Sequence, residues 1–557
     1  MAYAREDLRF NGWGLDARTF EMHGREEALF DFVGEALGGP LPYTPAAPLE
    51  TMELPESRLD AAALAELAKL APTHTDKRER AFHAVGKSYY DMVRIRSGTL
   101  TVAPDAVVYP GSHDDVMTVL AWAAKRGIAV VPFGGGSSVV GGVEARGASD
   151  ATPVVTLDTT RMRRLLALDD LSHTATFETG IYGPELEEVL EKRGYTLGHF
   201  PQSFEFSTLG GWIAARGSGQ QSNRYGAAAK MLVGARVATP TGEMRTSPFP
   251  NSAAGPDLNQ LIAGSEGILG VITEATMKIR PIAEARDFVS FLFRDFEEGT
   301  AAVRAMTQRG VDVSTLRLSD VDETHFYGEL RHVLRPSGAQ RWALKALGSA
   351  GFEKPCVLMV GFEGGSAHVK RSWRRALAIA TSHRGLYVGR GPGRAWYQQR
   401  FAMPYLRDPL MDRGIGIDTL ETSTWWSNVP TLYAAVTSAI RGALADWGSP
   451  GIVLAHLSHT YPTGTSLYFT FLFRRDADDP VGQWKSAKEA ASRAISEHGG
   501  TISHHHGVGT DHVPWLAAEK GALGMAVLDA AKARVDPMRV MNPGKILPGA
   551  SLDGARG

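Results

Sequence analysis

The stretch IAVVPFGGGSS, residues 128–138, joins an apolar run to three consecutive glycines and two serines. The apolar run is typical of a buried strand, and it follows the amphipathic segment HDDVMTVLAWAAKRG, residues 113–127. A short strand, AVVYP at residues 106–110, precedes that helix, so the three segments predict a βαβ unit. The glycines therefore follow the carboxyl end of a strand, where open α/β sheets bind ligands.

The glycine loop suits an anion, because backbone N–H groups without side chains can approach a diphosphate closely and serine hydroxyls add donors. It is not a Walker loop, since no Gly-Lys-Ser/Thr follows, and its spacing differs from Gly-x-Gly-x-x-Gly. Taken alone, the glycine triplet is equally compatible with a flexible hairpin turn. The residues predicted to bind a cofactor here are Pro132, Phe133, Gly134, Gly135, Gly136, Ser137 and Ser138.

Two further glycine-rich segments follow. The first, QSFEFSTLGGW at residues 202–212, leads into RGSG at 216–219, and its small hydroxylated residues suit a flat ring system lying against backbone. Its interleaved aromatic residues fit poorly with a surface loop. The second, GSEGILGVIT at 264–273, is a turn running into a β-branched strand. The predicted cofactor-binding residues are Gln202, Ser203, Ser207, Thr208, Gly210, Arg216, Ser218, Glu266, Gly267, Gly270, Val271 and Ile272.

Together these segments, within residues 100–281, resemble the FAD-binding domain of the vanillyl-alcohol-oxidase family. Within that family the chain resembles the alkyldihydroxyacetonephosphate synthases, which form the ether bond of ether lipids. The resemblance extends over nearly the whole chain and includes NGWG at 11–14, LRLSD at 316–320, ETS at 421–423 and SHHHGVG at 503–509. It implies FAD as the cofactor. The glycine loop contains no histidine or cysteine, so we expect noncovalent FAD.

The resemblance also implies an α+β fold, with a two-part FAD-binding domain and an α/β cap domain that binds substrate. We expect a mainly helical N-terminal segment at residues 1–98 and the FAD-binding domain at 99–285. Strands and helices alternate in the cap domain, residues 286–500, and predict an antiparallel sheet backed by helices. Residues 501–557 are expected to return to the flavin site.

Three consecutive histidines, His504, His505 and His506, are the strongest catalytic candidates. On an extended segment they would point to alternate faces, His504 and His506 to one side and His505 to the other. An imidazole facing the flavin could remove a carbon-bound proton at neutral pH. The synthases carry three histidines here, whereas the 2-hydroxy-acid dehydrogenases of the same superfamily carry glutamate-histidine-glycine.

Three further residues are assigned through the resemblance. Tyr468, in the strand SLYFTFLF, matches a tyrosine that the synthases use as an acid or base, although a tyrosine on a strand is more often part of a core. Arg317 in LRLSD matches a residue required for activity, and Arg407 in PYLRD matches a residue that contacts substrate. Guanidinium groups are suited to gripping a phosphomonoester, although most arginines are solvated or salt-bridged.

A metal is not expected. Adjacent residues cannot easily turn all three rings of the histidine cluster onto one ion. The alternative is a divalent ion held by His456 and His459 in AHLSHTY, near the place where the related dehydrogenases have histidine ligands. The rest of the dehydrogenase pattern is missing, which disfavours this alternative.

The reaction implied by the resemblance exchanges the acyl group of 1-acyl-dihydroxyacetone phosphate for a long-chain fatty alcohol. The flavin would act as a covalent catalyst, with a base from the histidine cluster and no net redox change. The main alternative is an FAD-dependent dehydrogenase or oxidase of 2-hydroxy acids, in which the arginines would grip a carboxylate. A catalytically idle flavin-binding scaffold is disfavoured, because Tyr468 and the histidine cluster are both present.

Composition and charge also restrict the class of protein and its location. With 59 basic and 61 acidic residues, the chain has no overall field to attract nucleic acid. The single cysteine, Cys356, excludes an internal disulfide and a cysteine metal cluster. The start, MAYAREDLRF, has no apolar signal core, and no run is long enough to span a bilayer. We therefore expect a cytoplasmic protein, compatible with peripheral membrane contact and with a homodimer.

Overall fold

The computed structural model describes residues 5–338, 347–349 and 351–548. In the N-terminal region, irregular chain joins four helices: α1 (Glu26–Ala36), α2 (Ala61–Leu70), α3 (Lys77–Phe82) and α4 (Tyr89–Arg96). Helix α4 begins with a capping box, in which the side chains of Ser88 and Asp91 each accept a hydrogen bond from the other's backbone N–H. This cap fixes the chain just before α4, next to Lys87.

The first sheet carries the βαβ unit. Its strands are β1 (Thr73–His74), β2 (Ala106–Val108), β3 (Ala129–Phe133) and β4 (Val154–Asp158), in the order β1–β2–β4–β3. Strands β2 and β3 run parallel to β4, and α5 (His113–Arg126) connects β2 to β3. Gly127, with a φ of 65°, ends α5 in the left-handed conformation that glycine favours. The predicted unit is confirmed, and the glycine loop leaves β3 at its carboxyl end.

The second sheet is antiparallel. Its strands are β5 (Leu165–Asp169), β6 (Thr174–Glu178), β8 (Leu232–Thr239), β9 (Gly242–Arg245) and β10 (Val271–Lys278), in the order β5–β6–β10–β8–β9. A separate pair is formed by β7 (Tyr195–Thr196) and β11 (Arg280–Pro281). The helices of this part are α6 (Gly183–Glu191), α7 (Leu209–Ala214), α8 (Ser222–Tyr225), α9 (Ala228–Met231) and α10 (Leu258–Ile262).

The third sheet has seven antiparallel strands. They are β12 (Ala285–Phe293), β13 (Thr315–Ser319), β14 (Cys356–Gly364), β15 (Leu386–Gly389), β16 (Ile415–Trp425), β17 (Ile452–Tyr461) and β18 (Gly464–Arg474). Their order is β15–β12–β14–β13–β17–β18–β16. The helices are α11 (Phe296–Gln308), α12 (Val321–Leu334), α13 (Ser366–Ser382), α14 (Gly391–Gln399), α15 (Arg407–Met411), α16 (Val429–Asp446) and α17 (Pro480–Glu497). The predicted antiparallel sheet with helices packed against it is confirmed.

The C-terminal part of the chain returns to the first sheet. After α18 (Val513–Val535), Met541 forms a β-bridge with Val130 of β3. The side-chain amide of Asn542 then donates a hydrogen bond to the carbonyl oxygen of Glu266 at 2.6 Å. Neither α18 nor any other helix within the described residues is long and apolar enough to cross a membrane.

Candidate active site

A cavity of about 1200 Å³ lies where segments from all three sheets meet. Nearly all of the residues predicted to bind a cofactor line it: Pro132, Phe133, Gly134, Gly135, Gly136, Ser137, Ser138, Gln202, Ser203, Ser207, Thr208, Gly210, Ser218, Glu266, Gly267, Gly270, Val271 and Ile272. The cavity is also lined by Arg317, Arg407, Tyr468, His505 and His506. The fold therefore brings together motifs that lie up to several hundred residues apart in the chain.

The glycine loop is packed so closely that only glycine fits. A Cβ atom on Gly135 would overlap the backbone carbonyl of Phe206, and one on Gly136 would overlap the ring of Phe133. Gly136 also has a φ of 68°, which disfavours residues with side chains. The bare backbone of this loop, exposed to the cavity, fits the diphosphate of a dinucleotide.

Arg216 is the one predicted cofactor-binding residue that does not line the cavity. Its guanidinium donates hydrogen bonds to the carbonyl oxygen of Ala263 and to Oε1 of Gln260, each at 2.9 Å. These contacts tie the chain after α7 to the end of α10. The guanidinium is thus held beside the end of α10, and contact of Arg216 with the cofactor stays a prediction.

Glu266 connects the third glycine-rich segment to the histidine segment. Its carboxylate accepts hydrogen bonds from the backbone N–H groups of Val508, at 2.5 Å, and Gly509, at 2.7 Å. Burial raises the pKa of this carboxyl to about 7, although the two backbone donors oppose the shift. Glu266 thus fixes the C-terminal loop against the FAD-binding segments.

The histidine segment wraps around a buried carboxylate. Glu421 of β16 is 1% exposed and accepts hydrogen bonds from the backbone N–H groups of His504, His505 and His506 at 2.6, 3.0 and 2.8 Å. The hydroxyl of Ser503 donates a fourth at 2.9 Å. Burial alone would raise the pKa of Glu421, but the adjacent histidines and backbone donors lower it well below its ordinary value. The loop therefore surrounds a fixed negative charge.

This wrapping overturns the expected alternation of the histidine side chains. The segment is a bend, not an extended strand, because three successive N–H groups converge on one carboxylate. His505 and His506 both line the cavity, whereas His504 does not line it. The His504 ring turns toward Tyr461, whose hydroxyl lies 2.6 Å from His504 Nε2.

Tyr468 faces the two cavity histidines. The centre of its ring lies 5.5 Å from that of His506 and 6.1 Å from that of His505. On its other side Tyr468 stacks on the ring of His456 at 4.9 Å. Burial raises the pKa of the Tyr468 phenol to about 12, so it is protonated at neutral pH and can act as a donor.

Arg317 is held by a buried network behind Tyr468. Its two terminal nitrogens lie 3.0 Å from His456 Nε2 and 2.9 Å from Glu323 Oε1. His456 Nδ1 contacts the same Glu323 oxygen at 2.9 Å. Because both ring nitrogens of His456 already have partners, His456 is not available as a metal ligand together with His459.

Comparison with known proteins agrees with this geometry. A family model described as "FAD binding domain" matches residues 104–247, which contain the glycine loop. A second, "FAD linked oxidases, C-terminal domain", matches residues 282–546, which contain the third sheet and the histidine loop. The alkyldihydroxyacetonephosphate synthase of Dictyostelium discoideum is 36% identical over 85% of this chain and 78% of its own length.

The chain belongs to the alkyldihydroxyacetonephosphate synthase family. It is an FAD-dependent enzyme of the predicted α+β fold. A solved alkyldihydroxyacetonephosphate synthase superposes with a TM-score of 0.84 at 31% identity, covering 97% of this chain and 99% of the other. The 4-ethylphenol oxidase of Gulosibacter chungangensis shares the fold, with a TM-score of 0.65 at 15% identity over 88% of this chain and 97% of its own.

Within this synthase family site, His459 has an unexpected position. Ligand atoms of His459, His504 and His505 lie within 4.8 Å of one another, close enough for three imidazoles to share an ion. Burial lowers the pKa of His459 well below its ordinary value, so the ring is neutral at neutral pH. His459 therefore does not pair with His456. Its ring centre lies 5.1 Å from the ring centres of both His504 and His505.

Sequence reasoning missed several residues of this site. The sequence patterns mark Glu421 only as part of the ETS motif, and they single out neither Glu323 nor Lys87. Nothing in their spacing marks them, because each acts on a residue far away in the chain. Glu421, for example, contacts the histidines across 83 to 85 positions.

Proposed function

We propose that this enzyme exchanges the acyl group of 1-acyl-dihydroxyacetone phosphate for a long-chain fatty alcohol, without net redox change. The observation that carries the proposal is the packing of His505 and His506 against Tyr468 at the cavity, in a chain of the synthase family. At neutral pH, two neutral imidazoles and a protonated phenol therefore lie together at the cavity. A base and an acid are both available beside one carbon of the substrate.

The cofactor would be FAD, held noncovalently by the glycine loop and the chain of residues 202–218. When bound, FAD supplies an electrophilic ring that can hold the substrate carbon while its substituent is exchanged. The residues that line the cavity would orient that ring.

His505 or His506 would remove the proton from C1 of the substrate. Burial lowers the pKa of both rings, so that they are unprotonated and able to accept a proton at neutral pH. The Glu421 carboxylate, 3.5 Å from His505 Nδ1 and 3.7 Å from His506 Nδ1, would stabilise the imidazolium that forms. Tyr468 would donate a proton to the departing carboxylate or position the entering alcohol.

Arg407 would bind the substrate phosphate and Arg317 would support the reacting end. Two nitrogens of Arg407, Nε and Nη2, are buried without a hydrogen-bond partner among the described residues. Apolar side chains of the lining would contact the long alkyl chains, among them Leu330, Leu334, Met403 and Leu406, which belong to one hydrophobic cluster.

We also infer that the FAD-binding domain comprises residues 99–285, the cap domain 286–500 and the returning segment 501–557. The first and second sheets fall mainly in the first part and the third sheet in the second. Peripheral membrane contact, a homodimer and a cytoplasmic location stay predictions.

The direct test is incubation of the purified protein with palmitoyl-dihydroxyacetone phosphate and labelled hexadecanol, followed by mass spectrometry for the ether. The alternative, a 2-hydroxy-acid dehydrogenase, makes an opposite prediction. Under anaerobic conditions 2-hydroxy acids would bleach its flavin, whereas the synthase should bleach only with acyl-dihydroxyacetone phosphate and recover its colour with alcohol. Bleaching by 2-hydroxy acids without ether formation would favour the alternative.

A further inference from the structure

Lys87 is a buried cation beside the glycine loop. The residue is 7% exposed and lines the cavity, and its backbone N–H donates to the carbonyl oxygen of Ser138 at 2.6 Å. Within the described residues, the hydrogen bonds of its Nζ go only to the backbone carbonyls of Phe10, at 3.1 Å, and Arg9, at 3.4 Å. None of the described carboxylates forms an ion pair with it. Its charge is therefore left without a counter-ion.

Arg407 is joined directly to Lys87. Arg407 Nη1 donates to the carbonyl oxygen of Lys87 at 2.5 Å, while Nε and Nη2 make no hydrogen bond with any described residue. The adjacent Asp408 is only a distant partner: its Oδ1 lies 3.8 Å from Arg407 Nε, beyond hydrogen-bond distance. Its Oδ2 accepts from the backbone N–H of Trp13 at 2.8 Å and from Arg9 Nη1 at 3.2 Å. A buried charged group whose N–H donors have no acceptor strongly destabilises a protein, unless a bound ligand provides the acceptor atoms.

We propose that Lys87 and Arg407 together form the site for a phosphomonoester dianion, with Lys87 as the second cation. A phosphomonoester near neutral pH carries nearly two negative charges, which one guanidinium cannot balance. The free edge of Arg407 can grip two phosphate oxygens, and the ammonium of Lys87 can bind a third. This inference rests on the proposed function for its choice of substrate. It adds a residue outside both segments that match the family models.

The surroundings of Lys87 make its charge responsive to the anion. Burial lowers the pKa of Lys87 to about 7, and Arg407 and Arg5 add to this shift, whereas Asp408 and Asp91 oppose it. A bound dianion would favour the protonated ammonium. Phosphate affinity should therefore fall as the pH rises through the lowered pKa of Lys87.

The test compares Lys87→Met with wild-type holoenzyme. The variant keeps a side chain of similar length but loses the charge. We expect the KM for palmitoyl-dihydroxyacetone phosphate to rise by about 10- to 100-fold, as for loss of a charged hydrogen bond. The KM for hexadecanol and the bound FAD should not change. Lys77→Met is the control, because the ammonium of Lys77 likewise donates to a backbone carbonyl, that of Glu50, but lies outside the cavity.

A second measurement does not depend on turnover. Binding of inorganic phosphate to holoenzyme, followed by calorimetry between pH 7 and pH 9, should weaken with pH in the wild type and be weak at every pH in Lys87→Met. If the wild type forms no ether but binds phosphate through Lys87, the proposed function fails while the phosphate site stands. Unchanged phosphate binding and unchanged KM in Lys87→Met would overturn the site. Loss of FAD with phosphate binding intact would overturn it too, by assigning Lys87 to the FAD diphosphate.

Discussion

Glu421 contacts His505 twice: its Oε1 accepts the backbone N–H of His505 at 3.0 Å, and its Oε2 lies 3.5 Å from the Nδ1 of the same residue. One carboxylate thus sets both the path of the loop and the electrostatic surroundings of the ring. A histidine that is neutral at rest but beside a fixed negative charge is well suited to accept a proton and release it again.

Replacing Glu421 with glutamine should therefore impair the proton step. The variant removes the charge and places an amide N–H₂ among backbone donors, so we expect exchange of the C1 hydrogen with solvent to slow by about 10- to 100-fold. Removing the anion also lowers the pKa of the base, so the acid side of the pH–rate profile should move to lower pH.

The matched control is Glu519→Gln. Glu519 Oε2 accepts hydrogen bonds from Thr501 and the backbone of Ile502, both at 2.9 Å, and so supports the same loop without contacting the histidine rings. It should leave the pH profile in place. An identical profile for Glu421→Gln and wild type would show that the carboxylate has only a structural role.

The histidines themselves should divide into two groups. His505→Ala and His506→Ala are expected to lower C1 hydrogen exchange, and loss of the true base should do so by about 10²- to 10⁴-fold. His504→Ala should have a smaller effect, because the His504 ring lies outside the cavity, between the Tyr461 hydroxyl and Nδ1 of His505 at 2.9 Å. Deuterium incorporation into acyl-dihydroxyacetone phosphate in heavy water, without alcohol, measures this step, and absorbance checks that FAD stays bound. If all three variants exchange at the wild-type rate, Tyr468 becomes the candidate base.

Gly135→Asp should yield a colourless protein. A side chain here would overlap the Phe206 carbonyl, and the carboxylate would repel the FAD diphosphate. The visible absorbance of the purified variant gives the answer. Gly442→Ala serves as the control, since a Cβ on that helical glycine meets no atom within 4 Å, and it should stay yellow. A fully yellow Gly135→Asp protein would mean that the diphosphate binds elsewhere.

Activity should survive removal of divalent metals. His505 can act as a base only if its ring is free, so an ion held by His459, His504 and His505 would inhibit the proton step. We expect unchanged ether formation after dialysis against a chelator, and inhibition by added zinc that His459→Ala relieves. Loss of activity on chelation, restored by one metal, would instead indicate a functional ion at this cluster.

The sequence by itself determined the parts of this protein that depend on local pattern. An apolar run, an amphipathic helix ending in glycine and a glycine triplet predicted the βαβ unit, because hydrophobic periodicity and the conformational freedom of glycine act over a few residues. Resemblance of the motifs then identified the family, and all but two of the predicted site residues line the cavity. These include Tyr468, Arg317 and Arg407.

Only the tertiary structure decided which way the critical side chains face. The direction of the histidines follows from Glu421, a buried carboxylate on a different strand, and the local rule of alternating side chains fails there. The guanidinium of Arg216 is held at the end of α10, and the backbone of Lys87 is hydrogen-bonded to Arg407, 320 positions away. Burial and long-range hydrogen bonds decide these side-chain positions. An interaction between charged groups is stronger where water is excluded, and residues distant in the chain exclude it.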